Sequence, residues 1–444
     1  MSGLRCWRGR DEIYGKFRSY VCRIPQARDR NQEHIGGAEV MSKFMSLKQF
    51  AYYVDDKIHS SNLRTDRYIT TDNLLQNKYG MTQALSLPAQ EGNVTRFKKG
   101  DTLIANIRPY LKKIWLATFD GGCSADVLAI RPKRGIDCNF LFYALFRDDF
   151  FIHAMNGVKG TKMPRGDKNQ IMDFIIPNLC ISTQSKIVNA LTALDQKIEL
   201  NNHINAELEA MAKTLYDYWF VQFDFPDEKG RPYKSSGGKM VYNKVLKRKI
   251  PEGWKDGTAS DLFIFNPSIL LKVGESAVYI DMESLPTTGY MTKPPLKRPF
   301  TGGMKFMKND VAIARITPCL ENGKTCLLSR LEENGVGFGS TEFIILRGKD
   351  ALLPSFAANF ARSASFRHFA ILNMTGTSGR KRIDAKILEA YSMAIPPIKL
   401  LNNFESRTAS LFEKMTLNAE ECDRLATIRN WLLPMLMNGQ VKVG

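Results

Sequence analysis

Chemistry on this chain would need a cofactor loop, a metal-ligating cluster or a nucleophile with its base, and each has a nearest candidate. Gly323-Lys324-Thr325 ends like a phosphate-binding loop, but the glycine that must open such a loop is replaced by Pro318. Gly335-Val336-Gly337-Phe338-Gly339 has the glycine spacing of a dinucleotide loop without the following helix or the distant acid. Both runs read as turns, the second as a hairpin turn. A methyltransferase acting on a flipped base would carry an Asp/Asn-Pro-Pro-aromatic tetrad, which Asn266-Pro267-Ser268-Ile269 and Ile395-Pro396-Pro397-Ile398 both fail. His34, His59, His153, His203 and His368 form no pair or triad. Cys6, Cys22, Cys123, Cys138, Cys180, Cys319, Cys326 and Cys422 include no Cys-x-x-Cys, and read as reduced packing residues of a cytoplasmic protein. No catalytic residue and no metal site is expected.

What remains is polyanion binding. Against 45 acidic residues stand 63 Lys and Arg, a formal charge of +18 over 444 residues. Nucleic acid and an anionic membrane surface both fit, but no apolar run approaches the roughly 18 residues of a spanning helix. Two Gly-containing basic loops suit phosphate approach: one with Lys159, Lys162, Arg165 and Lys168, the other with Arg380, Lys381 and Arg382. Asn106, Arg108 and Tyr110, with Arg315 at the matching place further on, have the planar polar groups that read base edges.

Those loops recur because the chain is written twice, with a period of roughly 210 residues. Tyr68-Ile69-Thr70-Thr71-Asp72-Asn73-Leu74 matches Tyr279-Ile280-Asp281-Met282-Glu283-Ser284-Leu285. Residues 100–111 match 309–320, keeping the aspartate and placing Ile313, Ala314, Ile316, Pro318 and Leu320 alike. Ser124-Ala125-Asp126-Val127 through Arg131 matches Ser340-Thr341-Glu342-Phe343 through Arg347, each a strand ending in a basic residue. The basic loops fall in a third block, 155–177 against 374–396, which aligns without a gap.

The fourth block is helical. Reading every four then three positions gives a mostly apolar seam of Ile187, Leu191, Leu194, Ile198, Asn201, Asn205, Leu208, Ala212, Leu215 and Trp219. The second copy gives Phe404, Thr408, Leu411, Met415, Asn418, Cys422, Leu425, Arg429, Leu432 and Leu436 in the same register. Asn201 and Asn418 share one seam position, where a polar residue fixes register at a cost in stability. Arg429 and Pro434 predict that the second helix kinks or frays in its last turn.

The expected fold is α+β: two α/β domains in tandem, each followed by a long helix, the two helices pairing as an antiparallel coiled coil. Strands are predicted at 102–107, 127–130 and 343–346, and short helices near 141–154 and 355–370. The expected boundaries are 45–182 for the first domain, 183–222 for the central helix, 223–250 for a linker, 251–400 for the second domain and 401–440 for the C-terminal helix. Residues 1–44 are basic and poorly periodic, an extension or an over-called start with no assignable role.

Several stretches carry a family likeness. They are Gly100-Asp101 with Ala105-Asn106-Ile107-Arg108-Pro109, Leu194-Asp195-Gln196-Lys197-Ile198-Glu199-Leu200-Asn201, Tyr216-Asp217-Tyr218-Trp219-Phe220-Val221, and Ile250-Pro251-Glu252-Gly253-Trp254. Over roughly residues 45–440 the chain resembles the specificity subunits of type I restriction-modification enzymes. The resemblance implies a non-catalytic chain with a target-recognition domain in each half. It implies double-stranded DNA, two methyltransferase subunits and two motor-nuclease subunits as partners, with S-adenosylmethionine, ATP and Mg held by those subunits. The chief rival is a stand-alone basic nucleic-acid-binding scaffold.

Helices of about 36 residues are roughly 50 Å long. Readers that far apart reach DNA segments about one to two helical turns apart. Because the two domains differ in sequence, the two half-sites should differ.

Overall fold

A computed structural model describes residues 44–158, 163–349, 353–377 and 379–441. The basic extension before Phe44 lies outside them.

In each copy a short, fully buried run becomes the centre of a sheet because both its faces are covered. Thr102–Ala105 lies between Val127–Pro132 and Ile114–Leu116, with Ala51–Tyr53 outside Val127–Pro132, all antiparallel. Val311–Ala314 lies between Phe343–Gly348 and Thr325–Leu327, with Phe263–Phe265 outside, in the same order and sense.

A second sheet repeats only in part. Tyr68–Ile69 runs parallel to Gly121–Cys123, which pairs antiparallel with Asn93–Phe97. Ser276–Ile280 runs parallel to Val336–Gly339, which pairs antiparallel with Met304–Met307. The fourth strands differ. Lys57–His59 lies outside Asn93–Phe97 in the first domain, whereas Leu296–Pro299 lies outside Ser276–Ile280 in the second.

The run from Gly335 to Gly339 is thus mostly an inner strand, not the hairpin turn its glycines predicted. Close packing explains the composition. A Cβ on Gly337 would sit 2.3 Å from the Phe306 ring, and one on Gly339 would sit 2.4 Å from the Ile280 carbonyl oxygen.

Each expected short helix is two, Cys138–Phe146 with Asp148–Asn156 and Pro354–Arg362 with Ala364–Leu372, broken at Arg147 and Ser363. The segment after the first long helix folds as a hairpin, Met240–Asn243 with Arg248–Pro251. Phe225 stacks between Tyr233 at 4.7 Å and Trp254 at 5.6 Å.

The long helices are Ile181–Tyr216, extended by a π turn over Asp217–Val221, and Ile398–Met437. They run antiparallel. Asp195 pairs with Arg429 at 2.6 Å, Asn205 with Asn418 at 2.9 Å, and the Trp219 and Phe404 rings lie 5.6 Å apart.

Burial along the seam is uneven. Ile187 and Leu191 join Leu433, Leu436 and Met437 in the first domain's core. Ala212, Tyr216 and Trp219 join Phe404, Phe412 and Met415 in the second domain's core. Leu194, Ile198, Leu208, Leu215, Leu411, Leu425 and Leu432 are only half-buried. Each domain therefore packs on the start of one helix and the end of the other.

Polar ties reinforce this. Glu405 accepts hydrogen bonds from the Ser355 and Phe356 amides at 2.9 and 3.1 Å, capping a second-domain helix from the second long helix. Burial pushes its carboxyl up from the ordinary range despite those donors. Tyr143 of the first domain donates to Asp195 at 2.7 Å.

One expectation is corrected. The second helix does not fray at Pro434; it continues to Met437, because Leu433, Leu436 and Met437 are buried in the first domain's core. Asn201 and Asn418 do not pair with each other, since an antiparallel crossing brings each opposite a different residue. Asn201 donates to Glu421 at 2.7 Å, and Asn418 donates to the Asn205 side-chain oxygen.

Asn205 also donates to the Met415 carbonyl at 3.1 Å. Asn418→Leu alone strands the Asn205 oxygen and should cost about 1–3 kcal/mol. Asn205→Leu with Asn418→Leu removes both partners and should be neutral or stabilising. Urea midpoints of the two variants check this, and equal losses would contradict it.

Candidate nucleic-acid interface

Immediately after the buried central strand, each copy turns into a loop that is knotted to its basic loop. In the first domain Asn106 N–H donates to Asp126 O at 2.8 Å, Arg108 N–H to Pro164 O at 2.8 Å, and Gly166 N–H to Asn106 O at 3.1 Å. In the second, Arg315 N–H donates to Glu342 O at 2.9 Å, Thr317 N–H to Lys381 O at 3.0 Å, and Ile383 N–H to Arg315 O at 3.0 Å. Ile107 bridges Arg165, and Ile316 bridges Arg382.

Side chains repeat the pattern. Arg165 pairs with Asp126 at 2.9 Å and Arg382 with Glu342 at 2.7 Å. The hydrogen bond from Arg382 holds the Glu342 carboxyl below the ordinary carboxylate range. Asp167 caps Lys168–Met172 and Asp384 caps Ala385–Glu389. The basic loops consequently align on Arg165 with Arg382 and Asp167 with Asp384. That corrects the gapless match of 155–177 with 374–396; the loops differ in length before these arginines.

A carboxylate that motif inspection did not single out ties down the opposite end of each central strand, away from the knot. Asp101 accepts from Arg131 at 2.8 Å through both Nε and Nη2, and from Lys98 N–H at 2.7 Å. Asp310 does the same with Arg347 at 2.7 and 2.8 Å and with Met307 N–H at 2.7 Å. Asp101 is 2% exposed and Asp310 1%. The signal was present as a duplicated aspartate and a duplicated basic strand end. Lys113 donates to Thr71 O and Lys324 to Met282 O, a further repeated contact.

The candidate readers lie at different depths. Arg108 is exposed with left-handed backbone, φ 52°, and Tyr110 is exposed. Asn106 is half-buried, its side-chain oxygen close against Gly166, where a Cβ would come within 2.9 Å. Arg315 is half-buried beside Glu342 at 3.9 Å. Lys168 is exposed above the Tyr53 ring at 5.8 Å, and Arg380 and Lys381 are exposed. Lys159 and Lys162 lie outside the described residues.

Among the described residues Arg108, Lys168, Arg380 and Lys381 carry no ion pair, whereas Arg165, Arg315 and Arg382 each face a carboxylate. The arrangement offers unpaired cations on a rigid loop pair, the donor set that meets phosphate. Among the described residues no group of His, Cys, Asp and Glu could hold a metal ion, and no helix is long and apolar enough to cross a membrane.

Residues 52–210 match the family model of the type I restriction modification DNA specificity domain. The chain is 24% identical over 437 residues to the HindI type I restriction enzyme specificity subunit of Haemophilus influenzae, covering 84% of this chain and 94% of that one. It is 24% identical over 331 residues to the MjaIX specificity subunit of Methanocaldococcus jannaschii, covering 71% of each. Its fold is like that in a crystal structure of the type I restriction-modification S subunit from M. genitalium, with TM-score 0.50 and 14% identity, covering 91% and 98% of the two chains. The duplicated domain-and-helix fold with its two equivalent loop knots thus occurs in a chain that is similar to type I restriction-modification specificity subunits and matches their DNA specificity domain over residues 52–210.

Proposed function

We propose that this chain recognises DNA for a type I restriction-modification complex and itself carries no catalytic step. It reads an asymmetric, two-part target and so directs adenine methylation and cleavage by partner subunits. One observation carries the reading: the same knot is built twice, on domains seated at opposite ends of an antiparallel helix pair. Two equivalent readers on a rigid spacer gain affinity through effective concentration only when the half-site spacing fits. The helix pair is then a ruler, and unlike domains imply unlike half-sites.

Two methyltransferase subunits and two motor-nuclease subunits complete the assembly. They supply S-adenosylmethionine, ATP and Mg. The proteins the chain resembles are specificity subunits, which leaves the stand-alone scaffold without support.

Arg380 and Lys381 are assigned to phosphate, and Arg382, tied to Glu342, to holding the loop. In the complex with methyltransferase, replacing Arg380 and Lys381 with alanine should weaken binding to every DNA sequence. The slope of log K against log salt should fall by about 2, near 0.9 per lost contact. An unchanged slope would remove these residues from the interface.

A further inference from the structure

What the two domains share does not explain unlike half-sites, so the determinants of sequence should lie where the domains differ. The clearest difference is the strand Leu296–Pro299, exposed along its length, which extends the second domain's sheet beyond Ser276–Ile280 and has no counterpart beside Tyr68–Ile69. It forms the edge of a four-stranded sheet, paired antiparallel with the inner strand Ser276–Ile280, and its side chains stand open to a partner.

The edge strand and Tyr279 of its neighbour wall an open cleft of about 520 Å³. Opposite them lie Gly302 and Gly303, whose positive φ of 148° and 118° lets the chain turn without side chains filling the space. The cleft continues to Ser340 and Thr341, the residues just before Glu342 of the loop knot. It therefore opens beside the cations assigned to phosphate.

One side chain in it is prepared for recognition. The Arg298 guanidinium lies 4.5 Å from the centre of the Tyr279 ring and has no ion pair among the described residues. Stacking orients its planar fork in advance and lowers the entropy lost on binding. Asp281 and Glu283 also line the cleft. Their charge disfavours a phosphate there and suits a base edge, where carboxylates accept from amino groups and arginine donates a bidentate pair to guanine O6 and N7.

Resting on the DNA-reading function above, we propose that Arg298, oriented by Tyr279, reads a guanine in the half-site of the second domain and is a specificity determinant of that half-site alone. The test is selection of methylated targets from a random DNA library by the complete methyltransferase complex. For Arg298→Ala the guanine preference at one position should fall roughly 5- to 150-fold, the range for one bidentate contact. The other half-site and the spacing should stay as in the wild type. Arg298→Lys, lacking the fork, should lose most of the same preference.

An unchanged motif, or a uniform loss at every position of both half-sites, would overturn the assignment while leaving the DNA-reading function in place. If the wild-type complex itself selected no two-part motif, the function would fall, and the assignment with it.

Discussion

Asp310→Ala should cost the second domain about 3–5 kcal/mol, the loss expected when one member of a buried ion pair is removed. The residue is 1% exposed, and its carboxylate accepts three hydrogen bonds, two from the Arg347 guanidinium and one from the Met307 amide. Alanine leaves all three donors without their acceptor and the guanidinium without its counter-charge. Asp310→Asn, which keeps an acceptor oxygen, should lose less. For comparison, Lys308→Ala breaks the pair with Glu333, whose carboxylate side chain is 78% exposed, and should change stability by no more than about 1 kcal/mol. Urea midpoints at unchanged m-value separate these cases. A loss for Asp310→Ala no larger than that for Lys308→Ala would show that the duplicated aspartate does not anchor the start of the central strand.

The second large effect concerns the helix pair. Trp219 follows the first domain in sequence yet is buried in the second domain's core, edge-on to Phe404 at 5.6 Å. Trp219→Ala should therefore destabilise by about 3–5 kcal/mol through lost burial and the cavity left behind. Its location makes the prediction sharper than its size. Hydrogen exchange should rise in Pro354–Arg362, whose Phe356 lies 5.6 Å from Tyr216 of the same helix end. The strand Val127–Pro132 of the first domain should keep its protection. Loosening centred on the first domain would contradict the seating of each domain on both helices.

Much of this was legible because duplication compares a sequence with itself. Thr102–Ala105 and Val311–Ala314 were readable as strands since short runs dominated by apolar residues in matching blocks have few other uses. The aspartate of each block and the arginine of the next strand were visible, but their pairing joins residues distant in sequence and needed the sheet. Asn201 and Asn418 stood out as polar seam residues, whereas their partners Glu421 and Asn205 depend on the antiparallel crossing. Pro434 misled because local propensity favours a break, and packing on the first domain overrides it. Gly337 and Gly339 misled in the opposite way: their glycines serve close contact with Phe306 and Ile280 rather than a turn. The edge strand Leu296–Pro299 carried no sequence signal, since its four residues are all exposed and include a proline and two cations.

The central claim is that two unlike readers sit at a fixed separation on one chain. It is tested most directly by mapping methylated adenines in DNA from cells that express this chain with its methyltransferase. The account predicts one asymmetric motif, two different short half-sites separated by a constant unread spacer. A contiguous or palindromic motif, a spacer of variable length, or methylation without sequence preference would contradict it.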